Sequence, residues 1–121
     1  ALAATGNGPR IFLVSDSMSQ AGTDIAQFTL HGDTIYRKDG ALRLADGTLA
    51  GADLTIDRAL FTSLSFGVPF EQALRMASTS PAAALGAPDR GRLTQGQRAD
   101  FVHLVDGRVA GTWIGGRGAG R

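Results

Sequence analysis

The feature that most constrains this chain is a run of four apolar residues, Ile-Phe-Leu-Val at positions 11–14, which leads into a small polar loop containing Asp16. Such a continuous apolar run is typical of a strand covered on both faces, as in a parallel sheet. Because one parallel strand cannot form a sheet alone, we expect the chain to be part of a larger fold. The opening residues support this expectation, since residues 1–6 have the pattern of the last turn of a helix.

Three Asp-Gly pairs divide much of the remaining chain into β segments. Asp39-Gly40, Asp46-Gly47 and Asp106-Gly107 each stand between β-prone stretches, and this dipeptide is a strong signal for a tight hairpin. Between the second and third pairs, residues 53–85 carry apolar stripes at helical spacing, with Asp53 as the predicted N-cap. The sequence therefore predicts a strand, hairpins, helices and a terminal hairpin, in that order, and an α/β fold class.

Composition excludes several classes of function. The 121 residues carry a formal net charge of +1 and no cysteine, so the sequence predicts no nucleic-acid surface, no disulfide framework and no thiolate metal site. No apolar run reaches the ~20 residues needed to cross a bilayer, so we expect no membrane partner and a cytoplasmic location. The glycine-rich residues 115–121 are predicted to form a flexible tail.

Asp16 is the first candidate for chemistry. An acid at the carboxyl end of a buried parallel strand lies where α/β barrels place catalytic groups, because the loops at that end surround the pocket. A carboxylate half-buried in such a pocket can act as a general base or a general acid. The alternative is that Asp16 accepts hydrogen bonds from the backbone amides of the loop that follows it, as a turn residue does.

Leu49, Ala50 and Gly51 form a second candidate site. Together with Gly47 they make a small, glycine-flanked segment just before a predicted helix. Such a segment lets a ligand approach backbone amides at the amino end of the helix. An ordinary loop at the entry to a helix explains the same residues, so both interpretations stay open.

Four other residues carry weaker signals. His31 and His103 lie far apart in the sequence and show no spacing typical of metal ligands, so the pattern predicts no metal site in this chain. Phe70 and Met76 fall in the predicted helices and are most simply core residues.

Several stretches together resemble the N-acetylglucosamine-6-phosphate deacetylase family, which is part of the metal-dependent amidohydrolase superfamily. They are, in chain order, FLVSDSMSQAG, GDTIYRKDGALRLADGTLAGADLT, FGVPFEQALRMASTSPAAALG and GRLTQGQRADFVHL. The resemblance covers nearly the whole chain. The ADFV segment is shared widely among amidohydrolases, whereas the DGTLAG segment is much more particular to the deacetylases.

The resemblance implies that the chain is the carboxyl-terminal part of a (β/α)8 TIM-type barrel together with strands of a small β-sandwich domain. A complete barrel needs about 250 residues, so this chain cannot contain one. Residues 1–89 are expected to supply the last strand, inserted hairpins and closing helices of the incomplete barrel. Residues 90–114 are expected to be β-sandwich strands, followed by the flexible tail.

The resemblance also implies an activity and roles for particular residues. The family removes the N-acetyl group of N-acetylglucosamine-6-phosphate, giving glucosamine-6-phosphate and acetate. Asp16 matches the catalytic aspartate, which takes a proton from the metal-activated water and passes one to the departing amine. Leu49, Ala50 and Gly51 match a loop that approaches the bound sugar. A divalent cation, zinc or iron, is expected with ligands that are not in this chain, and the intact enzyme is expected to be a homo-oligomer.

Two other functions are compatible with the same residues. A different amidohydrolase, such as a dihydroorotase-like cyclic-amide hydrolase, shares the strand-ending aspartate and the terminal hairpin. The chain could also be a β-rich interaction module without catalytic activity. For the chain by itself we expect no activity, because one acid without a metal site cannot activate water.

Overall fold

The computed structural model describes residues 11–120, so the helical turn expected at residues 1–6 lies outside the described residues. The described chain divides into two compact units. One unit consists of residues 14–59, and the other combines residues 11–13 with residues 60–120.

The unit of residues 14–59 contains a four-stranded antiparallel meander. In two of its turns, two consecutive residues adopt the left-handed backbone region. In one of these turns, φ is 53° at Asp39 and 74° at Gly40. This is the geometry that an Asp-Gly hairpin requires, so the hairpin predicted there is confirmed. The strands, which pair in chain order, are β1 (Gln27–Leu30), β2 (Asp33–Lys38), β3 (Ala41–Arg43) and β4 (Leu49–Ala52).

Strand β4 corrects one expectation about the second candidate site. Leu49, Ala50 and Gly51 were expected in a loop, but they form most of β4 and pair with β3. The turn predicted at Asp46-Gly47 brings them back onto the sheet, and the backbone amide of Thr48 donates to the Asp46 carboxylate at 2.9 Å. This hydrogen bond holds the pKa of Asp46 below its ordinary value. Pairing with β3 outweighs the weak strand propensity of the two small residues.

Three helices follow the meander, as predicted. The helices are α1 (Ile56–Ser65), α2 (Phe70–Ala77) and α3 (Thr79–Ala84).

In the unit of residues 60–120, the buried residues Leu60, Val68, Ala73 and Met76 form one hydrophobic cluster. The core position predicted for Met76 is therefore confirmed. Phe70 is predicted to be core as well, but its side chain is 51% exposed, because it stands at the first residue of α2 and helical side chains lean toward the amino end, past which α2 has no further turn to cover it. None of the helices in residues 11–120 is long and apolar enough to cross a membrane.

The predicted N-cap of the first helix is also corrected. Helix α1 begins at Ile56, and Asp53 lies three positions before it. The Asp53 carboxylate instead forms an ion pair with Arg37, with 3.1 Å between Oδ2 and Nε. The backbone amide of Asp53 donates to Gly40 at 3.2 Å, which keeps this residue on the sheet rather than in the helix.

Residues 11–14 are not a strand covered on both faces. Ile11 and Leu13 pack against the hydrophobic cluster, and the Leu13 amide donates to the Met76 carbonyl at 2.9 Å. Phe12 and Val14 are 43% and 66% exposed. The side chains therefore alternate as in a strand, but within residues 11–120 no segment pairs with this one to form a ladder.

The chain ends in a small antiparallel sheet. Its strands are β5 (Phe101–Val105), β6 (Arg108–Ile114) and β7 (Arg117–Gly118). The hairpin predicted at Asp106-Gly107 joins β5 to β6, where the rings of Phe101 and Trp113 stack with centroids 4.8 Å apart. The flexible tail predicted from residue 115 is corrected in part. The glycines at 115 and 116 have φ of 57° and 77°, so the chain turns tightly and residues 117 and 118 pair with β6.

Asp100 stabilises the turn between β6 and β7 through its carboxylate. The pairing of these two strands is therefore expected to be sensitive to acid. Its Oδ1 accepts the Gly115 amide at 2.7 Å and the Arg98 Nε at 2.8 Å. The Gly115 amide, followed by Arg98, holds the pKa of Asp100 below its ordinary value of 3.8. A depressed pKa in the folded state means that the stabilisation is present above the unfolded pKa and is lost as pH falls through the folded one.

We therefore expect the chemical shift of the Gly115 amide, measured by NMR on the folded chain as a function of pH, to change with a midpoint below pH 3.8. In Asp100→Asn this titration should be absent. A titration of the Gly115 amide that is unchanged in the variant would contradict the assignment to Asp100.

Candidate functional site

Asp16 lies in the loop after residues 11–14, as the sequence predicted, with an unusual backbone conformation. Its φ is 51°, in the left-handed region that few residues other than glycine adopt. Aspartate and asparagine tolerate this region better than most residues do. The side chain is exposed. A residue held in this region needs surrounding contacts that fix its backbone.

The carboxylate of Asp16 is free among the described residues, with no hydrogen bond or ion pair. The amide of the next residue, Ser17, donates to the Ser15 hydroxyl at 3.4 Å and not to the Asp16 carboxylate. The structure therefore gives no support to a capping role for Asp16. A free, exposed carboxylate is able to accept a proton from a bound molecule.

Strand β4 fixes the backbone around Asp16. The Ala52 amide donates to the Asp16 carbonyl at 2.9 Å, and the Ser17 hydroxyl donates to the Leu54 carbonyl. Gly51 allows this close approach, since a Cβ there would lie 2.9 Å from the Asp16 carbonyl oxygen and 3.1 Å from the Met18 side chain. The structure thus brings together the two candidate sites that the sequence placed more than thirty residues apart.

The three residues of the second candidate site differ in their surroundings. Gly51 is buried, and the Asp16 carbonyl and the Met18 side chain occupy the space beside it. Leu49 is 61% exposed and Ala50 is half-buried. The glycine is therefore explained by close packing of the Asp16 loop, and contact of Leu49, Ala50 and Gly51 with a substrate stays a prediction.

Arg37 is a part of this region that sequence reasoning missed. Its Nη1 donates to the Thr23 carbonyl at 2.8 Å and its Nη2 to the Gln20 carbonyl at 3.0 Å, in the loop that follows Asp16. Its Nε faces the Asp53 carboxylate. Alternation along β2 was the available signal, because Arg37 stands two positions after the buried Ile35 and so shares its face of the sheet.

The described residues contain no cluster that fits a metal ion. Within residues 11–120 no three His, Cys, Asp or Glu side chains come together as a ligand set. His31 is exposed at the turn between β1 and β2, with φ of 52°, and His103 is exposed on β5.

Comparison with known proteins identifies what the chain is similar to. The model of the amidohydrolase family matches residues 49–117. The chain is 38% identical over 111 residues to an N-acetylgalactosamine-6-phosphate deacetylase of Escherichia coli O157:H7, a match that covers 89% of this chain and 29% of that protein. It is 33% identical over 115 residues to an N-acetylglucosamine-6-phosphate deacetylase of Haemophilus influenzae, covering 91% of this chain and 30% of that protein.

A solved structure gives the same result for the fold. The N-acetylglucosamine-6-phosphate deacetylase from Pasteurella multocida superimposes with a TM-score of 0.86 at 30% sequence identity, covering 94% of this chain and 31% of that chain. These matches confirm both the resemblance to the deacetylases and the predicted α/β fold class. The chain spans less than a third of the length of each of these three proteins.

Proposed function

This chain belongs to the amidohydrolase family, and from that premise we propose that it is the carboxyl-terminal part of a longer enzyme that hydrolyses the N-acetyl group of N-acetylglucosamine-6-phosphate. The observation that carries the proposal is the match to proteins named as deacetylases over about nine-tenths of the chain. Membership of a hydrolase family argues against the alternative of an interaction module without catalytic activity.

We assign proton transfer to Asp16. Its carboxylate takes a proton from the attacking water as the oxygen of that water bonds to the acetyl carbon. It then gives a proton to the sugar nitrogen as the carbon–nitrogen bond breaks, so that acetate and the free amine leave. Support comes from the free carboxylate and from the fixed backbone, since a general base must be held within hydrogen-bond reach of its proton.

The ligands of the catalytic divalent ion are expected to lie outside this chain. Amidohydrolases generally use a divalent metal, and we propose zinc or iron, bound by ligands outside these 121 residues. Within residues 11–120, no group of side chains makes a ligand set for such an ion. Binding of the sugar by Leu49, Ala50 and Gly51, a homo-oligomeric state and a cytoplasmic location remain part of the same proposal.

A second substrate is favoured by one observation. The Escherichia coli relative, 38% identical to this chain, is named for the galacto epimer of the same sugar phosphate. The two substrates differ only at one hydroxyl of the sugar ring, so the same amide chemistry serves both. A cyclic-amide hydrolase of the dihydroorotase type is the remaining alternative within the family.

The test is a substrate panel on the full-length protein that carries this segment. We expect acetate release from N-acetylglucosamine-6-phosphate in the presence of zinc or iron, with the galacto epimer and dihydroorotate assayed beside it. The 121-residue chain alone, given the same metals, should release no acetate. Faster hydrolysis of dihydroorotate than of either sugar phosphate would overturn the proposed substrate class, and acetate release by the chain alone would overturn the assignment of the metal site.

A further inference from the structure

One guanidinium joins the two segments that hold the Asp16 backbone. We propose that Arg37 is a positioning residue for Asp16, an inference that rests on the proposed function. Arg37 does not touch Asp16 itself. It acts on the loop that contains Asp16 and on the end of β4, both of which belong to the unit of residues 14–59.

The first connection runs through the loop. Two guanidinium nitrogens of Arg37 donate to the carbonyls of Gln20 and Thr23, at 3.0 and 2.8 Å. The Gln20 carbonyl also accepts the amide of Thr23 at 3.0 Å, and the Ala21 amide donates to Met18 at 3.1 Å. These bonds tie the loop into consecutive turns directly after Asp16. Arg37 therefore limits how far the loop can shift along the sheet.

The second connection runs through the end of β4. The Nε of Arg37 pairs with Asp53, which directly follows Ala52, and the two side chains are only 21% and 24% exposed. Ala52 is the residue whose amide holds the Asp16 carbonyl. The Gln20 side chain, 1% exposed, reaches the carbonyl of the same Ala52 at 3.4 Å. Arg37 thus fixes both sides of the hydrogen bond that holds Asp16 in its left-handed conformation.

These contacts need arginine rather than any cation. The guanidinium presents five N–H donors in a rigid plane, which lets one side chain bind acceptors in different directions. A lysine ammonium is a single point on a flexible stem and cannot reach the Gln20 carbonyl, the Thr23 carbonyl and the Asp53 carboxylate together. Lysine at this position keeps the charge but releases at least one of the two segments.

The test is Arg37→Lys in the full-length protein, assayed for acetate release from N-acetylglucosamine-6-phosphate. We expect kcat per folded enzyme to fall by about 10- to 100-fold, because a displacement of about 1 Å at a catalytic group has an effect of that size. KM should stay nearly unchanged, since Asp16 acts on the reacting atoms and not on the remote parts of the sugar. Arg58→Lys is the matched control, because Arg58 is exposed on α1 and makes no hydrogen bond or ion pair among the described residues; it should leave kcat unchanged.

A double-mutant comparison separates positioning from a general loss of structure. In an Asp16→Asn background, Arg37→Lys should change the residual rate by less than about twofold, since residues that act as one unit have non-additive effects. The positioning role would be overturned if Arg37→Lys lowered kcat by the same factor in the parent enzyme and in the Asp16→Asn background. It would also be overturned if Arg37→Lys had the same kcat as the control Arg58→Lys. If Arg37→Lys does not fold, Asp53→Asn, which removes only the β4 connection, should lower kcat in the same direction and by less, and an unchanged kcat there would also overturn it.

The same two variants separate the catalytic role of Asp16 from the positioning role of Arg37. Full activity of Asp16→Asn would show that the proposed function of Asp16 is wrong, whatever Arg37→Lys does. An inactive Asp16→Asn together with a fully active Arg37→Lys would show that only the positioning role is wrong.

Discussion

Replacement of Asp16 by asparagine is expected to lower kcat for acetate release by about 10²- to 10⁴-fold in the full-length protein, the usual contribution of general acid–base catalysis. Asparagine has nearly the same shape and also tolerates a positive φ, so the conformation with φ of 51° should be kept. The amide cannot take up the proton of the attacking water or return one to the leaving nitrogen. KM should change little, and the measurement is steady-state kinetics with N-acetylglucosamine-6-phosphate.

The control for this variant is Asp24→Asn, which makes the same chemical change at an exposed carboxylate in the same unit. It should leave kcat within about twofold of the parent enzyme, as surface substitutions usually do. Equal losses in the two variants would indicate a general effect of removing negative charge. A fully active Asp16→Asn enzyme would remove Asp16 from the mechanism.

Gly51→Ala is expected to damage both stability and activity. Its Cβ would lie 2.9 Å from the Asp16 carbonyl oxygen, which is a backbone atom and cannot rotate away as the Met18 side chain can. The Asp16 loop must therefore move off β4 and weaken its hydrogen bond with the Ala52 amide. Overpacking of this kind costs about 1–3 kcal/mol of unfolding free energy, and displacement of Asp16 by about 1 Å should lower kcat up to about 10²-fold.

A second strand glycine supplies the matched control for Gly51→Ala. Gly118 lies in β7, where an added Cβ would meet only the Trp113 indole nitrogen at an ordinary 3.8 Å. Gly118→Ala should change the free energy of unfolding by less than about 0.5 kcal/mol, as most surface substitutions do. Thermal melts and kcat measured on both variants test the argument. Equal behaviour of the two variants would mean that the close approach at Gly51 does not constrain the Asp16 loop.

Local patterns were sufficient for the hairpins and the helices. An Asp-Gly pair such as Asp39-Gly40 specifies its turn because few other residues adopt two consecutive positive φ angles. The stripe that contains Ala73 and Leu74 specifies a helix with one buried face, since its spacing matches the helical period. These properties depend on neighbours within a few residues, which is why the sequence alone determined them. It also determined the position of Asp16 after an apolar segment.

Contacts between distant segments were decided only by the tertiary structure. Asp53 reads as a helix cap, yet it pairs with Arg37 because β2 brings a guanidinium within 3.1 Å of its carboxylate. The sequence pattern around Gly51 predicts a loop that a ligand can approach. In the structure, the space that a side chain of residue 51 would fill is occupied by the backbone of Asp16. No local pattern reveals which segment will approach a given glycine or which acid a given arginine will meet. The sequence by itself therefore determined where Asp16 lies along the chain, after an apolar segment, and the tertiary structure decided which contacts hold its backbone, because those contacts join residues far apart in the chain.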